Sequence, residues 1–194
     1  MVPQGAGGKE RSMRVISGIA GGRRLKEPAG MEIRPTADRV KESVFNIIQG
    51  DVEGRMCLDL FSGTGQMGIE ALSRGAASCT FVDADRDAVK LTKRNLETVR
   101  LPGEVLCCDA LRFLESGERF DLIFIDPPYH AGLYDKVLER IKAFDKLHTG
   151  GIMVVESPAE YEPESPGAPY FKLRSYRYGS VRITTFTRRE GSAY

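Results

Sequence analysis

Leu122-Ile123-Phe124-Ile125-Asp126-Pro127-Pro128-Tyr129 runs from four apolar residues straight into a carboxylate, two prolines and an aromatic ring. A short, unbroken apolar run of this kind marks a strand covered on both faces, as in a parallel sheet between layers of helix. Asp126 then emerges at the carboxyl end of the strand, where open α/β sheets bind their ligands. Proline fixes φ and carries no N–H, so the carbonyls around Pro127 and Pro128 point in pre-set directions. With the Asp126 carboxylate they can accept hydrogen bonds from an –NH2 group, and Tyr129 offers a flat face to an unstacked base. An ordinary strand exit with a proline turn would look the same over these residues alone.

Outward from this strand the chain alternates. Strands are predicted at Met56–Leu60, Ser78–Val82, Glu104–Cys108, Leu122–Asp126 and Ile152–Glu156, with helices at Gln66–Arg74, Arg86–Val99, Ala110–Glu115 and Tyr134–Phe144 between them. That order implies parallel βαβ units. Residues 157–170 contain Pro158, Pro163, Pro166 and Pro169 and read as a loop. Tyr170–Arg177 and Val181–Arg188 then alternate as an antiparallel hairpin turning at Tyr178-Gly179-Ser180, a loop of about three residues. The fold expected is α/β, a doubly wound, mostly parallel seven-stranded sheet ending in this hairpin. At the other end, Arg14–Gly18 and Gly21–Lys26 suggest a small basic β-hairpin, and Val40, Val44, Phe45 and Ile48 share one helical face behind a Thr36 N-cap. Residues 1–12 read as a flexible tail, 13–50 as the basic hairpin and helix, and 51–190 as the main domain.

With 194 residues, 41% hydrophobic and 28% charged, the chain suits one soluble domain. No apolar run approaches the roughly 20 residues that span a bilayer, and the start lacks the apolar core of a signal peptide, so a cytoplasmic protein without membrane contact is expected. Cys57, Cys79, Cys107 and Cys108 fall in or beside apolar strand-like stretches without metal-ligand spacing. They read as small buried hydrophobes, and no metal is expected. The net charge of +1 hides an asymmetry: residues 1–48 hold nine basic and five acidic residues, 171–194 hold six and one, and the middle carries −8. Basic ends suit phosphate and an acidic centre suits a cationic ligand. Arg23, Arg24, Arg34, Arg39 and Lys41 are candidates for contact with a nucleic-acid backbone.

Asp59-Leu60-Phe61-Ser62-Gly63-Thr64-Gly65-Gln66-Met67-Gly68 links the first strand to its helix and contains G-x-G-x-x-G, with Asp83 at ribose-carboxylate spacing. A dinucleotide would fit that pattern. Asp59, however, would oppose a pyrophosphate and favour the ammonium and sulfonium of S-adenosylmethionine. Asp83 could then accept from both ribose hydroxyls and Asp109 from the adenine amine. Singly, each carboxylate also fits a strand-end turn or N-cap; three at consecutive strand ends favour a ligand. Asp85 reads as the N-cap of the helix from Arg86, and Glu70 as helix surface.

Asp-x-Phe-x-Gly-x-Gly at 59–65, with Asp83, Asp109 and the Asp-Pro-Pro-Tyr of 126–129, resembles a Rossmann-like, class I adenosylmethionine-dependent methyltransferase acting on an exocyclic amine. Met13–Gly18, Arg34–Glu42, Phe45-Asn46-Ile47 and the Tyr178-Gly179 hairpin are more closely similar to the bacterial RsmD family, from about Met13 to Arg188. The resemblance implies methylation of the guanine N2 of one nucleotide in 16S ribosomal RNA, of the guanine-966 type, during small-subunit maturation. Catalysis would rest on Asp126, Pro127 and Tyr129. Cofactor binding would rest on Asp59, Phe61, Gly63, Gly65, Asp83, Asp109 and Asp126. RNA contact would rest on Arg23, Arg24, Arg34, Thr36, Arg39 and Lys41. The partner would be 16S rRNA or an assembling small subunit, met by a monomer. Ser62 and Asp83 stand where the family often has Ala and Glu, changes that keep the chemistry. A DNA adenine-N6 methyltransferase would share these motifs but usually needs an added target-recognition region. A nicotinamide oxidoreductase conflicts with Asp59. A non-catalytic RNA-binding module on the same fold would not need the full residue set retained here.

Overall fold

Alternate residues of the central strands feed two separate cores, and this division sets the architecture. The computed structural model describes residues 13–28, 35–128 and 132–190. In it β1 (Met56–Leu60), β2 (Ser78–Asp83), β3 (Glu104–Cys107), β4 (Phe120–Ile125), β5 (Leu147–Pro158), β6 (Tyr170–Tyr178) and β7 (Val181–Arg188) form one seven-stranded sheet, ordered β3-β2-β1-β4-β5-β7-β6. The first five strands are parallel; β7 runs antiparallel to β5, and β6 to β7. One face, through Cys57, Phe81, Phe124 and Val154, packs on α1 (Pro35–Ile47), α2 (Gln66–Ser73) and α3 (Arg86–Val99). The other, through Leu58, Leu60, Ile123, Ile125 and Val155, packs on α4 (Ala110–Phe113) and α5 (Leu133–Ala143). This is the doubly wound arrangement expected. The chain leaves β1 toward β3 on one side and returns at β4 on the other, so the topological switch point lies between β1 and β4.

On α1, Val40, Val44, Phe45 and Ile48 are all buried, and the Phe45 ring lies 5.6 Å from that of Phe124. α3 occupies the residues expected, with Asp85 as N-cap accepting from the Asp87 N–H. Several boundaries differ. α1 opens on Pro35, whose missing N–H suits a first helical position, so Thr36 lies inside the helix and is not its cap. β5 extends well beyond Ile152–Glu156, because pairing with β4 begins at Leu147 and pairing with β7 continues to Pro158. The terminal hairpin closes over two residues, since Tyr178 still pairs with Val181. Cys57 and Cys79 are buried, but Cys107 is exposed and Cys108 half-buried, because β3 is an edge strand.

The basic hairpin forms, with one antiparallel bridge, Arg14 to Arg24, and backbone hydrogen bonds from Val15 to Arg23, Gly22 to Val15 and Leu25 to Met13, and the segment is also held by α2 and α3. Glu70, fully buried, accepts from the N–H groups of Ile16 (2.7 Å) and Ser17 (3.0 Å) and pairs with Arg74 at 2.7 Å. This corrects its reading as helix surface: an acid–base pair at i,i+4 looks solvent-facing until another segment docks over it. Arg74 in turn lies 4.7 Å over the Phe45 ring. Gly18 is required where the segment crosses α2, since a Cβ there would sit 1.8 Å from the Ser73 carbonyl oxygen.

Removing Glu70 strands two backbone donors and the Arg74 charge. Glu70→Ala is expected to cost about 3–5 kcal/mol in urea unfolding, and to expose residues 13–26 to limited proteolysis before global unfolding begins.

Candidate active site

The switch point gathers acidic side chains from four neighbouring strands. Asp59 sits one residue before the end of β1, on the face that packs against α1, α2 and α3; Asp83 ends β2, Asp126 follows β4, and Glu156 lies near the end of β5. Phe124 pairs with Val154 and Ile125 with Val155, so Asp126 and Glu156 each follow directly on the last pair of the two strands.

β1 stops because Phe61 turns into the left-handed region (φ 61°), followed by Gly63 (φ 54°) and Gly65 (φ 76°). The three glycines have different jobs. A Cβ on Gly68 would lie 2.3 Å from the Phe81 ring and 2.6 Å from Cys79 Sγ, so that glycine lets α2 close on the sheet. A Cβ on Gly65 would lie 2.8 Å from Thr92. Around Gly63 the nearest atom to such a Cβ is 3.9 Å away, so this glycine borders open space. Buried Ser62 Oγ and Gln66 Oε1 have no hydrogen-bond partner here and are available to a ligand.

The carboxylates hold this loop in place. Asp59 Oδ2 accepts from the Gly68 N–H at 2.9 Å. Asp83 accepts from the Gly63 N–H at 2.8 Å through Oδ2 and from the Asp85 N–H at 2.9 Å through Oδ1. Asp109 caps α4 by accepting from the Arg112 N–H and remains exposed. Burial pushes Asp59 up to about 8; the Gly68 N–H opposes this, while the Asp126 and Asp83 charges add to it. Asp126 is open to solvent at the mouth of the site but enclosed by protein on its remaining sides, and this desolvation pushes it up to about 6. Burial, and then the Asp126 charge, push Glu156 up to about 8.

Residues 13–187 match the family described as conserved hypothetical protein 95. The chain belongs to the RsmD family of methyltransferases. Ribosomal RNA small subunit methyltransferase D of Escherichia coli (strain K12) is 35% identical over 150 residues, covering 76% of this chain and 76% of that protein. YlbH of Bacillus subtilis (strain 168), provisionally named an rRNA methyltransferase, is 41% identical over 184 residues, covering 91% of this chain and 100% of that protein. Among solved structures, yhhF of Escherichia coli, provisionally named a methyltransferase, superimposes with a TM-score of 0.83 at 29% identity, over 92% of this chain and 99% of that one.

Within this family frame the expected site residues divide. Asp59, Phe61, Gly63, Gly65, Asp83 and Asp126 converge on one end of the sheet. Tyr129 and Arg34 lie outside the described residues, as does the side chain of Thr36. Arg24 and Arg39 are exposed, and Arg23 is exposed while its guanidinium donates to the Val99 carbonyl. Lys41 is instead 1% exposed, with Nζ donating to the Arg14 carbonyl at 2.7 Å. It anchors the amino-terminal segment and is not presented to a phosphate. The carboxyl-terminal basic cluster is also largely occupied: Lys172 pairs with Glu162 and Glu164, Arg177 with Glu160, Arg182 with Glu162 and Arg188 with Asp145.

Glu156 was not among the expected residues; a single glutamate closing an apolar run gives little signal. Thr92 and Asn95 were also missed. Both are fully buried on α3; Thr92 Oγ1 donates to the Gly63 carbonyl at 3.0 Å, and Asn95 Nδ2 to the Thr64 carbonyl at 2.9 Å. Asn95 also accepts from the Lys26 N–H and donates to the Lys26 carbonyl. One amide thus ties the glycine loop to the amino-terminal segment. The available signal was two polar residues, three apart, on the apolar stripe of a helix.

Asn95→Ala breaks both connections. It is expected to lower stability by about 1–3 kcal/mol and to speed amide hydrogen exchange at Gly63, Thr64 and Gly65 well beyond exchange in β1.

Proposed function

We propose that this protein transfers a methyl group from S-adenosylmethionine to the exocyclic N2 amine of a guanine in 16S ribosomal RNA. The observation that carries the reading is the placement of Asp126-Pro127 at the end of β4, the strand paired with β1, close enough to Asp59 for the two acids to act on one another. Family membership and the names of the E. coli and B. subtilis relatives support methyl transfer to ribosomal RNA.

The residues present fit the cofactor. An acidic pocket with free space at Gly63 and two unpartnered buried oxygens suits a ligand that is cationic, hydroxyl-bearing and free of phosphate. Asp59 would face its positive end, Asp83 its ribose hydroxyls and Asp109 its adenine amine. The cofactor supplies an electrophilic methyl group.

The chain supplies the rest. An aryl amine is a poor nucleophile because its lone pair is delocalised into the ring. The Asp126 carboxylate and the Pro127 carbonyl would each accept one amine proton, drawing the nitrogen toward tetrahedral geometry and aiming its lone pair. Orientation of this kind can lower a barrier by up to about 7–11 kcal/mol. As the nitrogen gains positive charge its remaining protons become acidic, and Asp126 can take one. Tyr129 would stack on the base, worth roughly 1–3 kcal/mol. Arg23, Arg24, Arg34 and Arg39 would hold the phosphate backbone.

Radiolabelled cofactor incubated with unmodified small subunits, naked ribosomal RNA or DNA should place label in N2-methylguanosine of the ribosomal substrate. Label in N6-methyladenine of DNA would overturn the substrate. Asp126→Asn should slow turnover by roughly a hundredfold or more while leaving cofactor affinity within a few-fold. The same proposal has a linkage signature. Asp59, pushed up to about 8, is mostly protonated at neutral pH, and a cation favours its ionised form. Binding S-adenosylmethionine should therefore release about one proton, read by calorimetry in buffers of different ionisation enthalpy. Affinity should rise with pH until Asp59 is already ionised, and Asp59→Asn should abolish the release.

A further inference from the structure

The mechanism above leaves Glu156 without a task. It has a half-buried carboxyl at the heart of the site, on a strand bound directly to the one carrying Asp126. Phe124 and Val154 are paired and lie in the same core, so two residues further on Asp126 and Glu156 project to the same side. Neighbouring strands are about 4.8 Å apart, and the two carboxyl groups are near enough for the Asp126 charge to act directly on Glu156.

No group among the described residues donates a hydrogen bond to either carboxyl. Ionised carboxylates only accept, so two of them side by side, partly enclosed by protein, repel and give each other no donor. One proton between them removes both penalties. Among the described residues no basic side chain pairs with either carboxyl. Glu156 is paired on β7 with uncharged Ile183, and the α1 residues in that core, Val44, Phe45 and Ile48, are uncharged. Asp59, on β1, faces Asp126 from the other side of β4 and feels its charge; it is an acid held by the Gly68 N–H, so it adds repulsion and supplies no positive partner.

We propose that Glu156 is the positioning residue for Asp126: as a neutral acid it donates its proton to the outer oxygen of the Asp126 carboxylate and turns the inner oxygen toward the amine. This rests on the guanine-N2 reading for its substrate but not for the state of the pair. The N2 lone pair forms the new N–C bond, and the electrons of the broken methyl–sulfur bond stay on sulfur as a neutral thioether. The proton shed by N2 passes to Asp126, which returns it to water as product leaves. Glu156 keeps its own proton throughout, so the pair begins each turnover singly ionised. Burial raises both groups, and the Asp126 charge raises Glu156 further, which assigns the retained proton to Glu156.

The test has two arms. In the first, carboxyl 13C NMR follows protein labelled in glutamate, with the Glu156 signal assigned by its absence in Glu156→Gln. The signal should remain that of a protonated acid at neutral pH and titrate near 8, shifting down in Asp126→Asn. An ordinary glutamate titration would overturn the proposal whatever the enzyme methylates. In the second arm, single-turnover methylation of small subunits is followed against pH. The wild-type rate should rise as Asp126 ionises near 6 and fall as Glu156 ionises near 8. Glu156→Gln keeps a donor but cannot ionise; it should be slower by a few-fold and lack the alkaline fall. Glu156→Ala should lose roughly ten- to hundredfold, the worth of a hydrogen bond to a charged group. Retention of the alkaline fall in Glu156→Gln, or a wild-type rate in Glu156→Ala, would overturn the proposal. A wild-type enzyme that leaves guanine unmethylated, with the NMR titration as expected, would overturn the substrate reading alone.

Discussion

Like charges crowded at one end of a sheet repel, and this site is built on the means of tolerating that. Asp83, Asp59, Asp126 and Glu156 come from four adjacent strands, and among the described residues no basic side chain is hydrogen-bonded to any of them. Two of the four are satisfied by backbone N–H groups, Gly68 for Asp59 and Gly63 with Asp85 for Asp83. These N–H groups belong to the glycine loop and its helix, so the carboxylates shape the loop while the loop makes them tolerable. The remaining pair, Asp126 and Glu156, has no such donors among the described residues, and partial enclosure by protein raises both groups, as burial raises Asp59.

This arrangement explains why the site is demanding of backbone rather than of side chains. Gly68 must let α2 approach β2, and Gly65 must pass Thr92; only Gly63 leaves its Cβ position to solvent or a ligand. The three glycines thus divide here into two packing positions and one that borders open space. Thr92 and Asn95 close the loop from behind by taking up its carbonyls, so donors and acceptors of the same short turn are both accounted for.

The fold was legible because its signals were local and strong. Continuous apolar runs at β1 and β4 and the periodicity of α3 located elements within a residue or two, and Asp85 announced its cap. Wherever burial depends on distant chain, reading failed. Glu70 and Arg74 have the spacing of a surface ion pair, and Lys41 looks like a free cation; each is buried by the amino-terminal segment, which no local pattern announces. The basic carboxyl-terminal strands read as phosphate-binding until the intervening proline-rich loop supplies Glu160, Glu162 and Glu164. Glu156 went unnoticed for a related reason: its meaning comes from the residue across the sheet, thirty positions earlier.

The hydrogen bonds of the amino-terminal segment have a consequence in time. Ile16 and Ser17 bind Glu70, Ala20 binds Ser73, Lys26 binds Asn95 and Arg23 binds Val99, with separations of 53 to 76 residues. During synthesis this stretch leaves the ribosome before any of those partners exists, with only the backbone hydrogen bonds of its own short hairpin to hold it. It must wait until α3 has emerged and packed on the sheet. A stretch made early is therefore placed only after α3, made about 60 residues later, has packed, and Asn95 then fastens it to the glycine loop.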